Sequence, residues 1–161
     1  MSTPSTGNRP NGRARSNELL EFVTFRLADQ WLGIPVLMVQ EVLVAQRIAH
    51  VPLAPTEVSG FLNLRGQIVT AVNLRTRLAL EPRGEAAEVM NVVVRHDGEL
   101  FSFLVDEVGD VLSVRADSLE APPPTLDSRW RQACTGIIRR DRGLLVVVNA
   151  NELLRLDSVA A

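Results

Sequence analysis

The sequence has no lysine, no tyrosine, a single cysteine and an aromatic content of only 4%. A lone cysteine, Cys134, cannot form an intrachain disulfide, which is typical of a protein in a reducing compartment. No apolar run approaches the roughly 20 residues that a membrane helix needs. The first 17 residues also lack the apolar stretch of a signal peptide. These absences predict a soluble, intracellular protein with an aliphatic core.

The charge composition excludes a strong general attraction to nucleic acid or to anionic membranes. The net charge of the 161 residues is −2, and the hydrophobic fraction of 46% is typical of a globular protein. All 17 basic residues are arginine. We interpret this first as a compositional bias and only second as a preference for the bidentate pairing that arginine makes.

Composition also divides the chain into three parts. Residues 1–17 are rich in Ser, Thr, Pro, Gly, Asn and Arg and carry almost no apolar side chains, which predicts a disordered N-terminal tail. Residues 158–161 are predicted to be a short C-terminal tail. Residues 18–157 are long enough for one domain or for two small barrels that share a core.

Alternating apolar residues and frequent turn signals predict an all-β fold. Two hairpins have the clearest signals. The first joins residues 60–64 to 67–74 through Arg65 and Gly66, with glycine supplying a positive φ. The second joins 89–95 to 99–105 through the turn at His96, Asp97 and Gly98. Short strands at this spacing are typical of a sandwich or a barrel.

Short helices are predicted at three places. Over 36–44, helical spacing of Val36, Val39 and Leu43 competes with a strand pattern, and we predict a short helix that follows Pro35. Further helical turns are predicted at 128–133 and 150–156, with Asn149 or Asn151 as a cap for the second.

Motifs for catalysis, cofactors and metals are missing from the sequence. There is no nucleophile elbow, phosphate-binding loop, dinucleotide fingerprint or zinc-protease helix. Neither histidine has a Cys or His partner at ligand spacing. Asp106, Glu107 and Asp110 form an acidic cluster that we interpret as a solvated loop, and Cys134 is expected to be buried and inert. The sequence therefore predicts neither an enzyme nor a cofactor or metal site.

A nucleic-acid interface stands as the alternative function. Five arginines concentrate near the C-terminus, and small β-barrels often bind single strands: Arg129, Arg131, Arg139, Arg140 and Arg142. Binding of single strands also needs aromatic side chains for base stacking, and only Trp130 is close.

A protein-binding surface is the other possibility. Glu41 and Arg65 are charged residues flanked by aliphatic ones, and such patches provide both contact area and register for a partner. The structural explanations are an ion pair for Arg65 and an exposed helix face for Glu41. The pattern alone does not decide between them.

Several motifs in one order resemble the CheW family, the bacterial chemotaxis coupling proteins. The main ones are the run Asn63-Leu64-Arg65-Gly66-Gln67-Ile68-Val69 and the following Val72-Asn73-Leu74-Arg75. Further similar segments are Gly33-Ile34-Pro35, Val39-Gln40-Glu41-Val42, Leu104-Val105-Asp106-Glu107-Val108, Asp110-Val111-Leu112, Thr135-Gly136-Ile137 and Asn151-Glu152-Leu153-Leu154.

The resemblance implies two five-stranded SH3-like β-barrels on a shared aliphatic core, with short helices. It also implies a cytoplasmic, non-enzymatic adaptor without cofactors, recruited to membrane-associated receptor arrays. The implied partners are the cytoplasmic hairpin tip of a chemoreceptor and the regulatory domain of a chemotaxis histidine kinase. The matching positions for receptor and kinase coupling are Val39, Glu41, Arg65 and Val111.

The sequence departs from the family pattern at a few positions. Asn73 and Asn149 stand where family members usually have Asp, and Leu43-Val44 replaces a more polar pair.

Overall fold

A computed structural model of the chain describes residues 18–82, 89–141 and 143–155. The two predicted tails, over 1–17 and 158–161, lie outside these ranges, as does Arg142 of the arginine cluster. The described residues form eleven β-strands, three short α-helices and two single 3-10 turns. The all-β prediction is therefore confirmed.

Strands occupy most of the described chain, and the helices are each no longer than six residues. The strands are β1 (Leu19–Leu27), β2 (Gln30–Pro35), β3 (Val39–Leu43), β4 (Val58–Leu64), β5 (Gln67–Asn73), β6 (Met90–His96), β7 (Glu99–Val105), β8 (Glu107–Arg115), β9 (Leu119–Glu120), β10 (Cys134–Arg140) and β11 (Gly143–Val148). The helices are α1 (Leu74–Arg77), α2 (Ser128–Ala133) and α3 (Ala150–Leu153), and the 3-10 turns are Val36–Met38 and Ala116–Ser118.

The strands form two sheets, and in sequence the strands of one sheet lie between those of the other. The terminal sheet takes strands from both ends of the chain, in the order β8-β1-β2-β11-β10-β9. The central sheet takes the strands between them, in the order β3-β6-β7-β5-β4. Each sheet contains one parallel pair, β2 with β11 and β5 with β7, and its other pairs are antiparallel.

The two edges of each sheet are linked, in the central sheet by hydrogen bonds and in the terminal sheet by the chain itself. In the central sheet, Ala49, beyond the end of β3, exchanges two backbone hydrogen bonds with Phe61 of β4, at 2.7 and 2.9 Å. The close approach requires Gly60, because a Cβ atom there would lie 2.2 Å from the Ala49 carbonyl oxygen. In the terminal sheet, the edge strands β8 and β9 are joined by the 3-10 turn alone. The two predicted SH3-like barrels match this architecture, with the two-residue β9 as a sixth strand.

A shared aliphatic core joins the two sheets. Its central cluster includes Phe25 and Ile34 from the terminal sheet and Val92 and Phe103 from the central sheet, all fully buried. Each barrel also has its own smaller apolar cluster, around Val69 in the central sheet and Leu145 in the terminal sheet. Strand β1 contributes to the shared core and to its own barrel, which is why both of its faces are apolar in the sequence.

Both predicted hairpins are confirmed, with one difference in backbone conformation. Arg65 has a φ of +50° and Gly66 one of +87°, so both turn residues are left-handed. Asp97 and Gly98 repeat this pattern at +52° and +81°. A two-residue hairpin turn of type I′ needs a positive φ at both positions, whereas the sequence pattern predicted it for the glycine alone.

The prediction of a helix over 36–44 was wrong. The chain makes one 3-10 turn, Val36–Met38, and then enters strand β3, which pairs with β6. The β-branched side chains of Val39 and Val42 favour extended backbone, and pairing with β6 satisfies the backbone polar groups that a helix would have paired locally. Glu41 therefore lies on an edge strand.

The interpretation of the acidic cluster as a solvated loop was also wrong. Glu107 and Asp110 belong to β8, and the Asp106 carboxylate is only 11% exposed. Asp106 accepts hydrogen bonds from the Ala28 backbone and from Arg75, and these contacts account for its burial.

The asparagines that depart from the family pattern cap helices. The Asn73 side chain accepts hydrogen bonds from the backbone of Arg75 and Thr76 at the start of α1. Asn149 accepts one from Asn151 at the start of α3, as predicted. An aspartate would offer the same kind of acceptor, so the substitutions leave the local structure intact. The last helix ends at Leu153, three residues before its predicted end.

Candidate protein interface

The closure of the central sheet brings two of the predicted interface residues together. Glu41 lies on β3 and Arg65 in the β4–β5 turn, at opposite ends of the strand order. An Nη2 hydrogen of Arg65 is donated to Oε1 of Glu41. The Arg65 side chain is 69% exposed and that of Glu41 26% exposed, so the ion pair lies at the surface.

Local structure fixes both members of this pair. The Asn63 side chain accepts a hydrogen bond of 2.9 Å from the Gly66 backbone, which holds the turn. The flanking Leu64 is buried in the central barrel. On the other side, a β-bulge between Val39 and Glu41 shifts the register of β3 against β6. Bulges re-aim side chains at sheet edges, and this one directly precedes Glu41.

Aliphatic side chains are exposed in the same part of the fold. Val42 and Val44 are 38% and 66% exposed at the end of β3, and Ile68 is 63% exposed just after the Arg65 turn. The loop between β3 and β4 adds Val51 and the fully exposed Leu53. Exposed apolar groups mark a protein-binding surface where they are contiguous, and these residues are candidates for such a patch.

The other two predicted residues occupy different environments. Val39 is half-buried and packs against the shared core, two residues before Glu41. Val111 lies on β8 of the terminal sheet and is 56% exposed. It lines a cleft of about 570 Å³ together with Trp31 and Leu144. The structure thus unites Glu41 with Arg65 and places Val111 in a separate surface.

The other walls of this cleft were not predicted from the sequence. Trp31, Leu144 and Arg140 line it from β2, β11 and β10, which are distant from β8 in sequence. Trp31 is one of only two tryptophans, and the rarity of this large amphipathic side chain was the one signal that the sequence offered.

Groups with chemical reactivity are held in ordinary structural contacts. In the part of the chain that the structure describes, no set of three or more His, Cys, Asp or Glu residues is arranged to hold a metal ion. Cys134 is buried, as expected, and burial raises the pKa of its thiol above the ordinary value of 9.0. A protonated, buried thiol is a poor nucleophile.

Two arginines of the cluster, Arg131 and Arg139, form contacts within the protein. Arg139 forms an ion pair of 3.0 Å with Glu120, and Arg131 donates to the carbonyl oxygens of Pro124 and Leu126. Trp130 is 9% exposed and donates its indole N–H to the Leu78 carbonyl oxygen. A buried tryptophan cannot stack on bases, so the geometry speaks against the nucleic-acid alternative.

Among the residues with described positions, no helix combines the length and the apolar character required to cross a membrane.

Comparisons with known proteins agree with this fold. The sequence profile of the CheW-like domain matches residues 21–158. The chain is 25% identical to the chemotaxis protein CheW of Helicobacter pylori over 142 residues, covering 88% of this chain and 86% of that one. It is 25% identical to the chemotaxis protein CheW of Treponema pallidum over 154 residues, covering 93% and 91%. The crystal structure of the scaffolding protein TtCheW from Thermoanaerobacter tengcongensis superposes with a TM-score of 0.77 at 27% identity, covering 87% of this chain and 95% of that one.

Proposed function

Because the chain belongs to the CheW-like family of chemotaxis scaffold proteins, which are not enzymes, we propose that it couples chemoreceptors to a histidine kinase. Its partners are the cytoplasmic hairpin tip of a chemoreceptor and the regulatory domain of the chemotaxis kinase. The protein acts in the cytoplasm and is recruited to receptor arrays at the membrane.

The exposed Glu41–Arg65 pair is the observation that carries this proposal. An ion pair this exposed contributes only about 0–1 kcal/mol to stability, so a partner can replace either half at little cost. The planar guanidinium of Arg65 can fork onto a carboxylate of a partner, which gives direction as well as affinity. The exposed Val42, Val44 and Ile68 supply apolar area nearby.

Val39 and Val111 contribute the apolar contacts to the receptor. A helical receptor hairpin laid in an apolar groove is recognised through side chains that recur along one helix face. Val39 borders the shared core, and Val111 opens the cleft of the terminal sheet. The receptor tip therefore contacts both barrels.

Calorimetry with a receptor-tip fragment and with the kinase regulatory domain tests the proposal. We expect binding to both partners, and we expect Arg65→Glu to weaken at least one of them about tenfold. Arg139→Glu is the matched control, since Arg139 also forms an exposed ion pair, with Glu120. A wild-type protein that binds neither partner at about 100 μM, the weak end of useful affinity, would contradict the proposal.

A further inference from the structure

The Asp106 carboxylate lies where the chain passes from the central sheet to the terminal sheet. Asp106 is the single residue between the end of β7 at Val105 and the start of β8 at Glu107. Its side chain is 11% exposed, which is unusual for a carboxylate in a connection between strands.

From the central sheet, Asp106 is contacted by Arg75. Arg75 belongs to α1, directly after β5, and donates from Nη2 to Oδ2 of Asp106 at 2.5 Å and from Nε to Oδ1 at 3.4 Å. Its Nη1 donates to the Glu81 carbonyl oxygen at 2.7 Å. The Arg75 side chain is 12% exposed, and its guanidinium is held by the Glu81 carbonyl oxygen as well as by Asp106.

From the terminal sheet, Asp106 is contacted by the β1–β2 turn. The Ala28 backbone donates to Oδ2 of Asp106 at 2.8 Å, and Ala28 has a left-handed φ of +54°. Arg26 adds an Nη1 atom 3.9 Å from Oδ2 and donates from the same atom to the Ala28 carbonyl oxygen. The backbone of Asp106 in turn donates to the Arg26 carbonyl oxygen at 2.9 Å.

One carboxylate therefore binds groups of both sheets at once. The shared core between the sheets is apolar, and apolar packing has no preferred direction. Hydrogen bonds to a buried carboxylate are directional, and buried charged groups of this kind can select one arrangement among several of similar packing.

We propose that Asp106 is a positioning residue that fixes the orientation of the terminal sheet relative to the central sheet. A second statement rests on the proposed function. By fixing this orientation, Asp106 also sets the relative position of Val39 and Val111 in the surface that binds the receptor.

Distance measurement between two spin labels tests the orientation directly. Labels on Glu99→Cys of the central sheet and Ser113→Cys of the terminal sheet, both exposed positions, report the distance in a Cys134→Ala background. We expect Asp106→Asn and Arg75→Gln to broaden the distance distribution at least twofold. Arg139→Gln, which breaks an exposed ion pair within the terminal sheet alone, should leave the width unchanged.

The Arg75→Gln variant keeps the test decisive if Asp106→Asn does not fold. It leaves the Ala28 hydrogen bond to Asp106 in place and removes the guanidinium that contacts Asp106 and the Glu81 carbonyl oxygen. A distribution of wild-type width in Arg75→Gln, with native circular dichroism, overturns the proposal.

Binding of the receptor-tip fragment tests the functional part separately. In Asp106→Asn, only part of the protein molecules would hold the two barrels in the orientation that binds the receptor. The apparent affinity of this variant for the receptor-tip fragment should therefore fall about tenfold. Equal affinities of wild type and Asp106→Asn overturn this part. If the wild type itself binds no receptor fragment, the adaptor function fails, while the spin-label distances still decide the role of Asp106.

Discussion

Two arginine–carboxylate pairs in this protein have the same chemistry and opposite surroundings. Arg65 and Glu41 meet at the surface with side chains 69% and 26% exposed, whereas Arg75 and Asp106 meet between the sheets at 12% and 11%. The exposed pair can exchange its partner for a group on another protein. The buried pair has much less freedom, because little solvent reaches either half.

The energetic difference follows from desolvation. An exposed pair is screened by water and salt and contributes about 0–1 kcal/mol. Removing one member of a buried pair leaves a charge without compensation, at a cost of about 3–5 kcal/mol. The difference predicts that mutation of the first pair affects binding and that mutation of the second affects folding and orientation.

The largest expected effect is that of Asp106→Ala. This variant leaves the Arg75 guanidinium and the Ala28 N–H without their acceptor, so the free energy of unfolding in urea should fall by about 3 kcal/mol. Glu120→Ala, which removes the carboxylate of an exposed pair, should change it by no more than about 0.5 kcal/mol. A loss below about 1 kcal/mol for Asp106→Ala would remove the distinction between the two pairs.

Arg65→Glu should weaken partner binding and leave the stability nearly unchanged, which is the opposite of Asp106→Ala. We expect a stability within about 1 kcal/mol of wild type, because only an exposed pair is lost. Partner binding should weaken about tenfold, as measured by calorimetry on protein with native circular dichroism. An unfolded Arg65→Glu variant would instead show that the Arg65–Glu41 pair is structural.

Salt provides a third and smaller distinction. A double-mutant cycle on Glu41 and Arg65 should give a coupling of about 0.5 kcal/mol at low ionic strength and close to none in 1 M NaCl. The same cycle on Arg75 and Asp106 should retain most of its coupling, since buried pairs are screened much less. Equal salt sensitivity of both cycles would argue that both pairs are solvated.

The smallest effect concerns pH and involves neither pair. The folded protein holds the pKa of the Cys134 thiol above its ordinary value, so the unfolded chain loses its proton first as the pH rises. The free energy of unfolding should therefore be constant up to about pH 8 and decline slightly through pH 9 and above. The chain has no lysine or tyrosine, so few other groups titrate there. Cys134→Ala should lack this decline, and an equal slope in both proteins would assign it to another group.

Local signals were enough to predict the hairpins but not the contacts between sheets. Arg65-Gly66 and Asp97-Gly98 fix their turns by backbone conformation alone, and both hairpins were placed correctly. Strand β3 was misassigned because its edge position, which the sequence does not encode locally, decided between helix and strand. The burial of Asp106 depends on Arg75, 31 residues away, and on Ala28, 78 residues away.

The candidate interface, like the fold, could be predicted from the sequence only in part. Glu41 and Arg65 were chosen from their aliphatic neighbours and from the family resemblance, but their contact depends on the closure of the central sheet at Ala49. The cleft around Val111 draws on strands from distant parts of the chain, and no sequence period links them.

The nested order of the strands has a consequence for biosynthesis. During translation, every strand of the central sheet has been made once Val105 emerges from the ribosome, whereas β2 pairs with β11 only after Val147 has been added. We expect the central barrel to fold first. Strands β1 and β2 are apolar and remain unpaired with the strands that are made later. The strands of the nascent chain that are made first are thus exposed for the longest time. We expect chaperones to be needed most between the synthesis of β2 and the synthesis of β11.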